Sequence, residues 1–265
     1  MRYEKGSINI NPQRDVPLLQ QVLRSGFITT QQLFQFMQLN QCECSQPAFL
    51  HRVRRLVDHG LIEKRKGISR QGEPVYAITT EGATLLVDLG ELYAGRKSGL
   101  APQHTCAHWL DINKVHLALW RSEQLVRWIP ASEICSQNDL THFRYAKDYD
   151  AVVEVRCGGT EARFAFEYER TAKTFKQYQQ ICEAIDHELH VNTILYLTPN
   201  RHLLSFLRDT FRPRRKTICV ALLPDFVDRL LQTRVVLAGN EHSSTIVFEQ
   251  ILKQHDASKG ENGRP

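Results

Sequence analysis

The order of apolar and basic residues between Ser45 and Ile78 restricts how the first third of the chain can fold. At 100° per residue, one arc of a predicted helix is apolar and the opposite arc is basic. The apolar arc holds Phe49, Leu50, Val53, Leu56 and Val57, and the basic arc holds His51, Arg52, Arg54, Arg55 and His59. A basic segment, a turn with Gly67 and Gly72, and a returning strand over 75–78 follow. The pattern predicts an amphipathic helix followed by a basic hairpin.

Two shorter helices are predicted before this segment. The first ends at Ser25-Gly26, and the second begins after a cap at Thr29 or Thr30. The resulting order, carried by the run "LHRVRRLVDHGLIEKRKG…GEPVYAITTEGATLL", resembles the winged helix-turn-helix superfamily. That resemblance implies a third helix in the DNA major groove and a hairpin that touches phosphates or the minor groove. It implies base contacts from Gln46, His51, Arg52 and Arg55, and phosphate contacts from Lys64, Lys66 and Arg70.

Length and composition permit a second domain. The chain has 265 residues, 42% of them hydrophobic, and a net charge of +5, which allows a polyanionic partner without requiring one. We predict a flexible N-terminus over 1–14, a DNA-binding domain over 15–93, a linker over 94–102, a second domain over 103–254 and a flexible tail over 255–265. The seven scattered cysteines and the lack of a signal peptide predict a cytoplasmic protein. No apolar run is long enough for a membrane span.

The second domain is predicted to be an α/β layer structure, which makes the whole chain α+β. Strand-like segments at 151–155 and 163–168 are joined through Gly158-Gly159, and a long helix is predicted from about Thr171 to Leu189. Further strand-like and helical segments alternate after this helix.

Three carboxylates are predicted to meet at the end of this hairpin. Side chains alternate along a strand, so Glu167 and Glu169 share one face, and the turn brings Asp150 beside them. Clustered carboxylates repel one another unless a divalent cation binds them. We therefore expect Mg²⁺ or Mn²⁺ at Asp150, Glu167 and Glu169. The alternative is an exposed strand pair that is acidic without a function.

This arrangement resembles the PD-(D/E)xK nuclease core of restriction endonucleases. Tyr149-Asp150 stands where that core has Pro-Asp, and Glu167-Tyr168-Glu169 stands where it has E-x-K. The resemblance implies catalytic roles for Asp150, Glu167 and Glu169. Because Glu169 replaces the lysine of E-x-K, the lysine ammonium group would be supplied instead by Lys173, or by Lys176, on the polar face of the following helix.

A narrower resemblance covers residues 15–200. The segments "HWLDIN" and "KDYDAVVEV…FAFEYERTAKTFKQY" are similar to the plasmid replication-relaxation proteins and to relaxases of the mobilisation protein C type. This implies a protein of plasmid mobilisation, conjugation or replication that binds double-stranded origin DNA and nicks it, with accessory mobilisation proteins as further partners.

A relaxase normally keeps the broken strand as a covalent tyrosyl phosphate. Tyr178 is predicted to lie in the core and Tyr168 to point away from the acids, which leaves Tyr145 and Tyr149 as open candidates. Two other functions also stay open. One is a transcriptional or replication regulator with an inactive nuclease-like domain, and the other is a plain sequence-specific nuclease.

Overall fold

The computed structural model describes residues 8–65, 72–90, 105–239 and 245–261, with side chains described as far as residue 254. The chain divides into two compact units, Met1–Leu117 and Ala118–Pro265, and each contains its own β-sheet. The fold is therefore mixed α/β. No helix within the described ranges is long and apolar enough to cross a membrane. All seven cysteines are free thiols.

The first unit consists of helices around a small sheet. Its elements are α1 (Asp15–Ser25), β1 (Ile28–Thr29), α2 (Thr30–Leu39), α3 (Gln46–Asp58), β2 (Ile62–Arg65), β3 (Val75–Ile78), α4 (Thr80–Asp88) and most of α5 (Cys106–Arg121). The three strands are antiparallel in the order β1-β3-β2. The three predicted helices and the two hairpin strands are confirmed as secondary structure.

Local sequence signals explain where these helices begin and end. Thr29 and Gln32 form a capping box at the start of α2, in which each side chain bonds the other residue's backbone N–H. Gly26 ends α1 with a φ of +63°, a left-handed conformation that glycine adopts without a steric penalty.

Helix α5 adds its first turns to the core of the first unit. The Trp109 ring lies against Gly26, so closely that a Cβ on Gly26 would come within 2.7 Å of it. The Asn113 side chain donates a buried hydrogen bond of 2.7 Å to the Phe27 carbonyl, and the Gln32 side chain donates one of 2.8 Å to the Leu110 carbonyl. The first turns of α5, up to Leu117, which the sequence assigned to the second domain, therefore pack in the first unit. The predicted linker over 94–102 lies outside the described residues.

The second unit is built on a seven-stranded mixed sheet. Its elements are the end of α5, β4 (Leu125–Pro130), α6 (Ala131–Leu140), β5 (Ala151–Cys157), β6 (Thr160–Tyr168), α7 (Phe175–Asp186), β7 (Thr193–Thr198), α8 (Arg201–Thr210), β8 (Thr217–Leu222), α9 (Leu223–Arg229), a 3₁₀ turn (Leu230–Gln232), β9 (Arg234–Leu237), β10 (Thr245–Val247) and α10 (Phe248–Glu261). The strand order is β10-β9-β8-β7-β6-β5-β4. Strands β6, β7 and β8 run parallel, and the other neighbours are antiparallel.

The β5–β6 hairpin turns at Gly158-Gly159, where both residues have positive φ values of +61° and +93°. Two-residue hairpins favour this conformation, because its twist matches that of the strands. The turn fixes a register in which Ala151 lies opposite Phe166. Asp150 therefore lies opposite Glu167, at the end of the hairpin far from the turn.

Helices α7 and α8 contribute to an apolar core with one face of this sheet. The cluster includes Val152 and Ala165 from the hairpin, Tyr178 from α7, Tyr196 from β7 and Leu207 from α8, all at most 1% exposed. Asp150 and Glu167 belong to the same face of their strands, two residues beyond Val152 and Ala165. They consequently lie at the margin of this core.

Candidate functional sites

Asp150 and Glu167 are adjacent at the edge of the second unit's core. The Asp150 carboxylate accepts a hydrogen bond of 2.7 Å from the Tyr168 backbone N–H, which ties the start of β5 to the end of β6. Glu169 follows at once, and its backbone N–H bonds the Leu197 carbonyl of β7. The structure thus brings the three predicted carboxylates to one end of the hairpin.

Two lysines bind the glutamates of this cluster. The Lys147 ammonium group forms an ion pair with Glu167, and the Lys173 ammonium group forms one with Glu169. Lys147 also lies 5.2 Å from the centre of the Tyr149 ring. Lys173 precedes α7 instead of lying on its polar face, because the helix begins at Phe175 after a cap at Thr174. We call these five residues, Lys147, Asp150, Glu167, Glu169 and Lys173, the acid–lysine cluster.

Burial shifts the ionisation of Glu167. The pKa of this carboxyl is raised to about 7, mainly by burial and also by the charge of Asp150, against the opposing effect of Lys147 and Lys173. The Glu167 carboxyl is therefore only partly ionised near neutral pH.

A buried hydroxyl lies on the neighbouring strand. Tyr196 is the register partner of Glu167 in β7, and its hydroxyl is buried with no hydrogen-bond partner among the described residues. Burial, together with the charges of Glu167 and Glu169, holds its pKa well above the ordinary value. A buried polar atom without a partner costs about 1–3 kcal/mol. The Tyr196 hydroxyl can therefore still form a hydrogen bond beside the acids.

The predicted metal ligands do not form a compact three-residue group in this structure. Within the described ranges, no three His, Cys, Asp or Glu side chains are arranged to hold a metal ion. Asp150 and Glu167 nevertheless offer carboxylate oxygens, the donors that Mg²⁺ and Mn²⁺ prefer. The donor chemistry fits such an ion at this pair, whereas Glu169 is directed to Lys173.

The tyrosines of the described residues are all buried. Tyr76, Tyr145, Tyr149, Tyr168, Tyr178 and Tyr196 are at most 5% exposed. The prediction that Tyr178 is a core residue is confirmed. Burial raises the pKa of Tyr145 and of Tyr149, and Glu188 adds to the shift of both. Neither open candidate for a covalent nucleophile is accessible.

The exposed face of α3 differs from its prediction in three residues: Leu50 is exposed, and Arg52 and Arg55 are only half-exposed. Gln46, His51 and Arg54 are exposed, and Leu50, predicted to pack inward, is 43% exposed between them. The prediction for Leu50 is therefore wrong: the helix turns the stripe of Phe49, Val53 and Leu56 into the core and leaves Leu50 beside it.

Arg52 and Arg55 lean toward α1 and bind a buried acid. Both guanidinium groups form ion pairs with Asp15, which is inaccessible to solvent, and Arg52 also reaches Glu43 at 3.4 Å. Burial opposes ionisation of Asp15. Hydrogen bonds from the Asn11 backbone N–H and from the two arginines outweigh it and lower the pKa. These arginines thus hold α3 against α1 and are only partly available to a ligand.

One hairpin residue predicted to contact phosphate is exposed. Lys64 projects from β2, whereas the neighbouring Arg65 bonds Glu63. Lys66 and Arg70 lie outside the described residues.

Two residues of interest were not among the predicted site residues. Lys147 stands three positions before Asp150, so its place in "KDYD" was an available signal. Arg54 belongs to the predicted basic arc, and only the structure separates it from Arg52 and Arg55. No protein-family model matches the chain, and no curated protein or solved structure matches it at a significant level.

Proposed function

We propose that this protein binds double-stranded DNA through its first unit and cuts one strand at the acid–lysine cluster of its second. The observation that carries the proposal is the adjacency of Asp150 and Glu167, flanked by Lys147 and Lys173, where two strands of the sheet end. Carboxylates and ammonium groups side by side suit a phosphodiester, whose cleavage needs an oxygen-liganded cation and compensation of phosphate charge.

The order of elements supports a nuclease-like fold for the second unit. Strand β4, helix α6, the β5–β6 hairpin, helix α7 and strand β7 follow one another, with β4 to β6 antiparallel and β7 parallel to β6. The acid before the hairpin, the two acids at its end and the helix that follows are the features on which the resemblance to the PD-(D/E)xK core rests. With the narrower sequence resemblance, it favours plasmid origin DNA as the substrate, in the cytoplasm, with accessory mobilisation proteins as partners.

The first unit supports a winged helix-turn-helix as the DNA-reading part. Helix α3 presents Gln46, Leu50, His51 and Arg54 on an exposed face, and the hairpin beside it presents Lys64. In a major groove, arginine can bond guanine and an apolar side chain can contact the thymine methyl group. We therefore assign base contacts to this face and phosphate contacts to Lys64, with Arg52 and Arg55 as supports of the helix.

Asp150 and Glu167 would hold the divalent cation, Mg²⁺ or Mn²⁺, which when bound supplies a polarised phosphate and an activated water. Lys173 lies before α7, with its side chain 41% exposed, and can offset phosphate charge from the solvent side. Lys147, 22% exposed, orients Glu167. Glu167 must lose its proton to act as a ligand, so protons compete with the cation and cation binding strengthens as the pH rises through about 7.

The buried tyrosines favour hydrolysis over covalent attachment. A tyrosine that attacks phosphorus must reach it and lose its proton, and both requirements fail for a buried hydroxyl with a raised pKa. Tyr145 and Tyr149 meet neither requirement. The proposed product is therefore a nicked strand whose ends are free of protein.

The test is a nicking assay on supercoiled plasmid that carries the protein's own origin, with Mg²⁺ or Mn²⁺. Asp150→Ala and Glu167→Gln should abolish the open-circular product, and Glu161→Gln, an exposed acid of the same strand, should not. Lys147→Ala and Lys173→Ala should slow nicking, with Lys176→Ala as their control. Protease treatment before electrophoresis should leave the product's mobility unchanged. A protein-bound end would contradict the hydrolytic proposal.

A regulator without nuclease activity is the second candidate. It is favoured by Glu169, which occupies the position of the usual nuclease lysine and is bound to Lys173. A regulator would bind its DNA tightly and yield no nicked product with either cation.

A further inference from the structure

A groove runs along α7, outside the acid–lysine cluster. It has a volume of about 450 Å³ and lies between one stripe of α7 and the chain that follows α8. Phe175, Gln179 and Asp186 mark the stripe, whose length is about 16 Å at 1.5 Å per residue. Phe175 stands two residues after Lys173, so one end of the groove begins next to the cluster.

The far wall of the groove is basic. Arg212, Arg214 and Arg215 line it, and all three are exposed, with no acidic side chain paired to them among the described residues. Asp186 and Glu183 also line the groove. The Asp186 carboxylate accepts hydrogen bonds of 3.0 and 2.9 Å from the backbone N–H groups of Arg214 and Arg215. Asp186 thus fixes the backbone that presents the two arginines.

Phe175 is an exposed aromatic ring in the same groove. Its side chain is 61% exposed at the first position of α7, although such a ring gains free energy when it is covered. An exposed aromatic ring toward one end of a groove and exposed arginines toward the other suit a short single strand, because the ring stacks on an unstacked base and the guanidinium groups bind phosphates farther along. A base within a duplex cannot stack in this way.

We propose that this groove binds single-stranded DNA, with a base stacked on Phe175 and backbone phosphates on Arg214 and Arg215. The inference rests on the proposed function and deepens it, since it gives the path of the strand next to the cut. A strand suits the site better than a free nucleotide, because the groove is open and extends along the whole of α7.

The test measures binding of a fluorescent oligothymidine to the full chain in chelator, so that no cleavage occurs. Phe175→Ala should weaken binding about tenfold or more, while Phe175→Tyr, which keeps the stacking ring, should not. Arg214→Ala with Arg215→Ala should lower the salt dependence of log Kd by about 1.4, or 0.7 for each lost phosphate contact. The matched control is Arg229→Ala with Arg234→Ala, which removes two exposed arginines away from the groove.

Three results would overturn the inference: no binding of the oligothymidine by the wild type, equal losses in the control double variant, or competition by thymidine monophosphate at the same concentration as the oligonucleotide. These outcomes are separable from failure of the proposed function. Asp150→Ala should keep oligothymidine binding, and Arg54→Ala should weaken duplex binding alone. A protein that binds oligothymidine through Phe175 but never nicks would keep the groove assignment and lose the nuclease.

Discussion

Replacing Asp15 by alanine tests whether Arg52 and Arg55 are structural supports. Asp15 is fully buried and binds both guanidinium groups, whose side chains are only 15% and 29% exposed. Its removal deletes two charge-assisted hydrogen bonds and one bond from the Asn11 backbone. The arginines left behind can still turn toward water.

The size of the effect depends on which partner is removed. A hydrogen bond to a charged group contributes about 1.5–3 kcal/mol, so Asp15→Ala should lower the free energy of unfolding by about 2–3 kcal/mol once the arginines are rehydrated. The double variant Arg52→Ala with Arg55→Ala leaves the buried Asp15 carboxylate without an ion-pair partner. It should lower the free energy of unfolding by about 3–5 kcal/mol. Arg54→Ala touches no ion pair and should change stability by less than about 0.5 kcal/mol.

Urea unfolding of the variants measures these changes in stability. Binding of duplex DNA then separates the supporting arginines from Arg54, which we expect to contact DNA. Arg54→Ala should weaken specific binding by about 1–3 kcal/mol without loss of stability. Since the pKa of Asp15 is lowered, its contribution is complete above the ordinary value of 3.8 and is lost as the pH falls through the folded-state pKa. The wild type and Asp15→Ala should therefore converge in acid. If Arg52→Ala kept full stability and lost DNA binding, the supporting role would be refuted.

Three further outcomes follow from the geometry. Gly26→Ala should destabilise the first unit by about 1–2 kcal/mol from its left-handed backbone alone, and by more because of Trp109, as measured by thermal unfolding. A fragment of residues 1–95 should be less protected from proteolysis than one of residues 1–121, because only the longer one contains Trp109 and Asn113; equal protection would show that α5 is dispensable. At a limiting concentration of the cation, nicking should rise with pH through about 7, because Glu167 must lose its proton before it binds the cation, and a flat profile under that condition would exclude Glu167 as a required ligand.

The sequence predicted those features that depend on neighbouring residues. Alternation along β5 and β6 and the Gly158-Gly159 turn were sufficient to bring Asp150 beside Glu167, because a two-residue hairpin fixes its own register. The helix cap predicted at Thr29 or Thr30 is likewise a local interaction, and the structure places it at Thr29. Helix α7 is shorter than predicted, since the capping box at Thr174 starts it after Lys173.

Features that depend on distant residues escaped prediction. Asp15 lies 37 residues before Arg52, and no periodicity relates the two. A helical wheel assigns Arg52 and Arg54 to the same arc, but long side chains reach sideways, and a buried acid on α1 decides which one turns inward. Lys147 is 20 residues from Glu167 and becomes its partner only after the hairpin closes. Trp109 and Asn113 also contact residues far away in the sequence, Gly26 and Phe27. Their place in the first unit, beyond the predicted linker, was therefore not predicted.

The charges of the acid–lysine cluster bear on the choice between nuclease and regulator. With all five groups ionised, its three carboxylates and two ammonium groups leave one net negative charge, which repels a phosphodiester. Protonation of Glu167 near pH 7 makes the net charge of the cluster zero, which ends the repulsion of a phosphodiester but does not attract one. Binding of a divalent cation at Asp150 and Glu167 would change the net charge to one positive, which a single phosphodiester neutralises. Without a cation the cluster therefore has no net electrostatic attraction for DNA. Under the proposed nuclease function, the cluster would accept a phosphate only together with a cation.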